Sequence, residues 1–399
     1  MANEKFDNAK KGKNDEFYTQ YVDIQKEVNA YLEYNADTFK DKIILLPCDD
    51  PEWSNFTRFF AQNFERLGLK KLISTSYATD SKKFRSYVQL SFLEVESPKY
   101  DKAKTNKHGK IFTLTRDANN SGHIDIDDLE WEYLKGDGDF RSKEVTQLRD
   151  EADIIITNPP FSLFREFVDW IMQADKKFLI IGNQNAITYK EIFPLIKNNK
   201  MWTGCRFNQR VNGKNMTFVV PDNYPLSGTE VSVDEKGRKL VSVAGTGWFT
   251  NLEHGRRHQP LELMTMSDNL KYSKHKEIRT EGYPKYVNYN AIDVSFTDAI
   301  PDDYKYEMGV PISFLNKYNP EQFEIIALGI VGSIDFSSER KMEILDKNGK
   351  PTDKYTTNAK GTLYKEWNRD ADSKPPAFRD CENGKLYQSI YARIIIRRK

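Results

Sequence analysis

Asn158-Pro159-Pro160-Phe161 stands directly behind the apolar run Ile154-Ile155-Ile156, and its residue types suit holding a planar base by an amino group. The exocyclic amine of a base such as adenine is a poor nucleophile, because its lone pair is delocalised into the ring. The Asn158 side-chain oxygen and the Pro159 carbonyl can each accept one N–H bond and draw that pair out of conjugation. Two prolines stiffen the loop, so both acceptors stand in position before any reaction. Phe161 offers a ring to stack on the base, as pockets for flipped bases require. The same four letters also fit a plain strand-ending turn, with Asn158 capping it and Phe161 packed inward.

Such a loop needs a strand to carry it to a sheet edge. The β-branched run after Asp153 reads as a buried strand, and the prolines, lacking ladder donors, force the chain out at its carboxyl end. Open α/β sheets bind ligands at that edge. Upstream, residues 20–34 place Val22, Ile24, Val28, Tyr31 and Leu32 at helical spacing. A strand follows at Ile43 to Leu46, then a helix from about Asn55 to Leu67 capped by Ser54 and closed by Gly68, then a strand from Lys71. This order is one crossover unit of a parallel sheet. Residues 80–130 break the rhythm, and Tyr87 to Val95 with Lys110 to Thr115 reads as an antiparallel hairpin inserted in the core. Behind Thr157 come a helix from Phe164 to Gln173, a strand at Phe178 to Ile181 and a helix around Ile187 to Lys197.

After about residue 215 short strands are separated by Gly, Pro and isolated Tyr, as at Met216 to Val220, Glu230 to Val233 and Gly247 to Asn251. Residues 335–385 are polar and rich in turn residues, and Tyr391 to Ile396 is a final strong strand. The division expected is therefore a catalytic core over 1–215 and a strand- and loop-rich region over 216–399.

Three further clusters could do chemistry. Pro47-Cys48-Asp49-Asp50 lies between the first core strand and its helix, where α/β folds bind nucleotide-like cofactors. Two carboxylates there suit the ammonium of S-adenosylmethionine and partly offset its sulfonium, while the helix start near Ser54 suits its carboxylate. A simple Asp-Asp-Pro turn is the competing interpretation. Gly136-Asp137-Gly138-Asp139 puts two acids on a flexible loop, either for the cofactor's adenine amine or as a surface turn; the remaining calcium ligands of such a loop are missing there. Asp15-Glu16-Phe17-Tyr18-Thr19 is a polar-aromatic cluster ahead of the first helix.

Composition sets bounds. The chain has 399 residues, 30% charged and 38% hydrophobic, enough for two domains of a soluble protein. No window is apolar enough to span a membrane, and the polar N-terminal stretch argues against a signal peptide or anchor. Cys48, Cys205 and Cys381 lie far apart, which fits a reducing cytoplasm and neither zinc nor disulfides; the five histidines show no metal spacing. A net charge of +1 means that any nucleic-acid footprint is local. Candidate basic patches are Lys10-Lys11 with Lys13, Arg206 with Arg210 and Lys214, Arg256-Arg257, and Arg393 with Arg397-Arg398-Lys399.

In this order the segments resemble the EcoRI-type adenine-specific DNA methyltransferases. The resemblance is carried by KNDEFYTQY at 13–21, CDDP at 48–51, GLKKLI at 68–73, GDGDFRS at 136–142 and NPPFSLF at 158–164. It continues in KKFLIIGN at 176–183, YPKYVNYNAI at 283–292 and GVPISFLNKYNPEQFE at 309–324, and is weakest over 80–125 and 335–385. It implies a doubly wound, mostly parallel α/β sheet, S-adenosylmethionine as methyl donor without a metal, and N6-methyladenine in duplex DNA as product.

On this chain the resemblance implies that Asn158, Pro159, Pro160 and Phe161 bind and activate a flipped adenine. Phe17, Tyr18 and Thr19 would lie beside the cofactor's methionine end, Pro47, Cys48, Asp49 and Asp50 would replace the usual glycine-rich loop, and Asp137 or Asp139 would meet its adenine. The acid that usually ends the second strand is missing, since the chain reads Ser74-Thr75-Ser76-Tyr77, which leaves Ser76 or Asp80 for the ribose. No cysteine stands on the catalytic loop, which argues against cytosine-C5 chemistry. Implied partners are duplex DNA and a cognate restriction endonuclease acting on the same site without a stable complex, around a monomer. The rival functions are methylation of RNA or protein glutamine, and DNA binding with a degenerate site.

Overall fold

The computed structural model describes residues 18–47, 49, 54–78, 97–207, 216–220, 231–235, 237–330, 340–356, 363–369, 372 and 374–399. They form two compact units, residues 1–186 with 201–255 and residues 187–200 with 256–399. The division falls after Gly255 and not after residue 215, because the strands of 216–255 join the sheets of the first unit.

In the first unit, strand β1 (Tyr18–Thr19) leads into helix α1 (Tyr21–Tyr34). Ile24, Val28 and Tyr31 are its buried stripe at i, i+4 and i+7, while Val22 falls off that stripe and is 43% exposed. After β2 (Ile43–Leu46), helix α2 (Asn55–Gln62) starts where the Ser54 hydroxyl accepts from the Phe56 N–H at 3.1 Å. It buries Phe56, Phe59 and Phe60, each worth roughly 1.5–3 kcal/mol. The expected single helix to Leu67 breaks at Asn63, and the turn Phe64–Leu67 is closed by Gly68 at φ 61°.

Next come β3 (Lys71–Ser76), β4 (Lys110–Leu114), β5 (Glu130–Tyr133), α3 (Lys143–Glu151), β6 (Ile154–Thr157), α4 (Phe164–Met172), β7 (Lys177–Asn183), β8 (Trp202–Thr203), β9 (Thr217–Val219), β10 (Val231–Val233), β11 (Lys239–Ser242) and β12 (Thr246–Thr250). Where one helix was expected over 187–197, a 3-10 turn at Gln184–Thr188 precedes a short helix at Phe193–Lys197 in the second unit, with Pro194 in its first turn.

Among the described residues one sheet has eight strands in the order β5-β4-β3-β2-β6-β7-β12-β8. Its central four, β3, β2, β6 and β7, are parallel, and β4, β5, β12 and β8 each join through antiparallel pairing. Parallel pairing is thus confined to the centre, and the fold is a mixed α/β one. The central strands read as continuous aliphatic runs because they are covered: Ile154, Ile155 and Ile156 are all buried. Of the expected inserted hairpin, Tyr87 to Val95 lies outside the described residues. Lys110–Leu114 pairs with β3 and β5 and is part of the main sheet. Thr246–Thr250, expected in the C-terminal region, runs along β7. A second, antiparallel sheet has the order β1-β9-β11-β10.

The second unit carries β13 (Ile292–Asp293), β14 (Met308–Pro311), β15 (Phe323–Gly329), β16 (Met342–Leu345), β17 (Pro351–Thr356), β18 (Leu363–Glu366), β19 (Phe378–Asp380), β20 (Leu386–Ile390) and β21 (Arg393–Arg398). Among the described residues it has a four-stranded sheet, β13-β14-β21-β15, and a five-stranded one, β17-β16-β19-β20-β18. The strong C-terminal strand is the interior one: Ile394, Ile395 and Ile396 are fully buried between β14 and β15. Residues 335–385, read as turn-rich, supply most of the five-stranded sheet, whose outer strand β17 is largely exposed and polar. No helix among the described residues is long and apolar enough to cross a membrane.

Candidate active site

The parallel strands reverse direction of growth at one place. From β2 the chain crosses to β3 on one side, and later returns to β6 on the other side of β2. That is a topological switch point, where loops leaving the carboxyl ends of neighbouring strands part and open a crevice. Those strands are β2, followed by Pro47 and Asp49, and β6, followed by Asn158.

Asp49 joins four elements. Its carboxylate accepts the Ser54 hydroxyl at 2.7 Å on one oxygen and the Thr157 hydroxyl at 2.5 Å on the other. The single Thr157 proton is shared with the Pro47 carbonyl at 2.9 Å. The Asp49 carbonyl accepts from Thr57 at 3.0 Å and from Ser74. One residue thus ties the ends of β2, β3 and β6 to the first turn of α2. Each bond is short and buried, so the loops are fixed before any ligand arrives.

The Asn55 side-chain amide donates to the Thr19 carbonyl at 2.7 Å and holds β1 against the start of α2. Gln20 reaches the Thr217 carbonyl and hydroxyl from the same strand end. Thr19 is 2% exposed, and its hydroxyl has no hydrogen-bond partner. An unsatisfied buried hydroxyl costs about 1–3 kcal/mol, a cost that a polar ligand would remove.

The Gly136 to Asp139 loop packs against the end of β3. Gly138 has φ 86°, and a Cβ there would overlap the Ser76 carbonyl oxygen; a Cβ at Gly109 would stand 2.6 Å from both that oxygen and the Gly138 Cα. The Ala78 N–H donates to the Asp137 carbonyl at 2.8 Å. The two acids then differ. Asp139 accepts both Nε and Nη2 of Arg141, at 2.9 and 2.7 Å, and also the Arg141 backbone N–H at 2.9 Å. The remaining arm of Arg141 reaches Glu166 at 3.0 Å. Asp139 is therefore committed to folding its own loop. Asp137 accepts the Asp139 N–H at 3.1 Å on one oxygen and stands beside the buried Ser76 at the sheet edge.

On the β6 side, Pro159 and Pro160 are buried and Asn158 is half-buried. Phe161 opens the 3-10 turn Phe161–Leu163, its ring half-buried against the core of the first unit. The turn runs directly into α4, whose Phe164 packs so tightly on Gly182 of β7 that a Cβ there would overlap the ring.

The structure thus brings Tyr18, Thr19, Pro47, Asp49, Asp137 and Asn158 to Phe161 onto strand ends and loops of one unit. Phe17, Cys48, Asp50 and Asp80 lie outside the described residues. Sequence reasoning missed Thr157, Thr57, Ser74 and Asn55, and it saw Ser54 as a helix cap at a helix start suited to the cofactor's carboxylate but not as a donor to Asp49. Its available signal was a hydroxyl residue at the last position of a buried strand, where a β-branched side chain ordinarily only packs.

A model of the family described as "Adenine-specific methyltransferase EcoRI" matches residues 5–399. The chain is 44% identical over 318 residues to the Type II methyltransferase M.EcoRI of Escherichia coli, covering 80% of this chain and 87% of that one. It is 36% identical over 323 residues to the Type II methyltransferases M.MpnI of Mycoplasma pneumoniae and M.MgeORF184P of Mycoplasma genitalium, covering 80% of this chain and 84% and 85% of those. No solved structure matches.

Proposed function

The chain belongs to the EcoRI family of adenine-specific methyltransferases, and from that premise we propose that it transfers the methyl group of S-adenosylmethionine directly to the N6 amine of an adenine flipped out of duplex DNA, at a specific site. The family is described as adenine-specific methyltransferases, and the relatives are named Type II methyltransferases. The observation that carries the assignment of residues is the placement of Asn158 to Phe161 at the end of β6, beside the Asp49 hub on β2, at the switch point of the sheet.

The residues fit the cofactor in kind. Asp49 offers a buried negative charge for the ammonium, Pro47 and Thr157 wall the same strand ends, and the unsatisfied Thr19 hydroxyl supplies a polar contact. Asp137 is assigned to the cofactor's adenine amine in preference to Asp139, whose carboxylate is occupied by Arg141. Phe17, Tyr18, Cys48 and Asp50 are assigned to the same pocket from the resemblance. Bound S-adenosylmethionine supplies an electrophilic methyl group. Asn158 and the Pro159 carbonyl accept the two amine hydrogens, concentrate the nitrogen lone pair on the reacting side and remove the need for a general base ahead of attack. Pro160 fixes the loop and Phe161 stacks on the extruded base.

We further read the eight-stranded sheet as the doubly wound sheet of such enzymes, the second unit as the source of most sequence-specific DNA contacts, and the protein as a cytoplasmic monomer of a restriction-modification system whose nuclease acts separately. The test is tritiated methyl transfer into duplex DNA by the purified chain and by Asn158→Ala, with S-adenosylmethionine affinity measured by calorimetry. The expected result is a loss of about 10²- to 10³-fold in turnover with affinity within threefold of wild type. Near-normal turnover in the alanine variant would remove Asn158 from the chemistry.

A further inference from the structure

The second unit holds a cavity of about 770 Å³ lined by Tyr283, Tyr289, Tyr304 and Tyr306 together with Lys285 and Lys305. A void of that size is far above a packing defect and lies in the range of pockets that hold small organic groups. Two of its rings are fixed by their hydroxyls. Tyr283 donates to the Ala299 carbonyl at 2.7 Å, and Tyr289 donates to Glu307 at 2.5 Å. Tyr304 and Tyr306 meet edge to face with centroids 5.5 Å apart, which leaves Tyr306 72% exposed with a ring open to a ligand.

The charges are uneven. Glu307 is the acid of the lining and is held by Tyr289, and Arg397 is paired with Glu324 at 2.8 Å. Lys285 and Lys305 are exposed, and among the described residues neither ammonium has an ion-pair partner. Fixed aromatic rings beside two unpaired cations suit a planar base attached to a phosphate. An apolar peptide would use the rings and leave the cations without a counterion. A base inside a duplex has both faces covered by its neighbours, so only an unstacked one can lie against rings in a cavity.

We propose that this cavity binds one unstacked nucleotide of the DNA substrate, with its base against the tyrosine rings and its phosphate at Lys285 and Lys305, as a site separate from the Asn158 loop. The proposal rests on the reading of the chain as a DNA methyltransferase. Capture here would add affinity from a nucleotide other than the target adenine and would favour duplexes that open easily at that position.

The test measures binding of a 30-base-pair duplex, carrying a site that the protein methylates, to wild type, Tyr306→Ala, Tyr306→Phe and Lys285→Ala/Lys305→Ala, with S-adenosylmethionine affinity measured in parallel. Tyr306→Ala is expected to weaken duplex binding at least about fivefold while Tyr306→Phe stays near wild type, since stacking needs the ring and not the hydroxyl. The double lysine variant is expected to weaken binding and to lower the salt slope by about one to two. All four proteins should bind S-adenosylmethionine equally. Equal duplex affinity in all four, or equal losses in the alanine and phenylalanine variants, would overturn the proposal. Failure of wild type to methylate any DNA would instead overturn the proposed function.

Discussion

At the scale of single residues the site is governed by how hydroxyl groups are spent. Ser54 and Thr157 each give their proton to one Asp49 oxygen, and Thr57 and Ser74 converge on its carbonyl. Removing the carboxylate takes away the acceptor of the buried Ser54 hydroxyl and leaves Thr157 with the Pro47 carbonyl alone. Asp49→Ala is expected to lower unfolding free energy by about 1–3 kcal/mol in denaturant titration and to abolish S-adenosylmethionine binding in calorimetry. Loss of binding without loss of stability would mean that Asp49 serves the ligand alone. The paired acids separate in the same way. Asp137→Asn is expected to weaken S-adenosylmethionine binding roughly tenfold at unchanged stability, whereas Asp139→Asn destabilises the loop through Arg141. The reverse pattern would exchange their roles. The motif residues were legible in the sequence because Pro-Pro after a β-branched run leaves a chain few options. The hydroxyl network was not, because a Thr inside a strand gives the same signal whether it packs or donates.

At the scale of elements, α1 is anchored by a buried acid that no motif marks. Glu27 accepts the Cys205 and Arg206 N–H groups at 2.8 and 2.9 Å and the Tyr31 hydroxyl at 3.1 Å, so the helix holds the turn that follows β8. Burial pushes its carboxyl up to about 7 from an ordinary 4.5, against the pull of those hydrogen bonds. The native state therefore keeps this proton to higher pH than the unfolded chain does. Between about pH 4.5 and 7 folding binds a proton, so the Glu27 contribution to stability falls as pH rises through that window. Glu27→Gln has no proton to release. The melting temperature of wild type minus that of Glu27→Gln is expected to decrease from pH 5 to about pH 7 and then to level off, and a difference independent of pH would contradict the assignment.

Helical spacing revealed α1 but not this acid, since a Glu among Lys and Asn reads as a solvated face. β2, β3, β6 and β7 were legible as aliphatic runs because they lie in the buried centre of a sheet. The strands of 340–390 were not, because β17 faces solvent and its polar alternation resembles a turn-rich segment.

At the scale of the whole molecule, the chain divides after Gly255, so the strands of 216–250 belong with the putting-together of the first unit's sheets and not with the C-terminal unit. Local sequence cannot show this, because β12 reaches β7 only through a long-range antiparallel pairing whose register no neighbouring residue announces. The basic patch Arg393, Arg397 and Arg398 also changes meaning. Arg393 is paired with the buried Asp293 at 2.8 Å, Arg397 with Glu324 at 2.8 Å and Arg398 with Asp302 at 2.5 Å. These cations are paired with acids around β21.

The central claim is that this molecule methylates the amino group of adenine in duplex DNA. Its most direct test is the chemical identity of the product. Duplex DNA incubated with the purified chain and labelled S-adenosylmethionine is digested to nucleosides and separated by chromatography. The account predicts that all of the label elutes as N6-methyldeoxyadenosine and that none is formed by Asn158→Ala above about one part in a hundred. Label eluting as a methylated cytosine, or label found only in RNA or protein substrates, would contradict it.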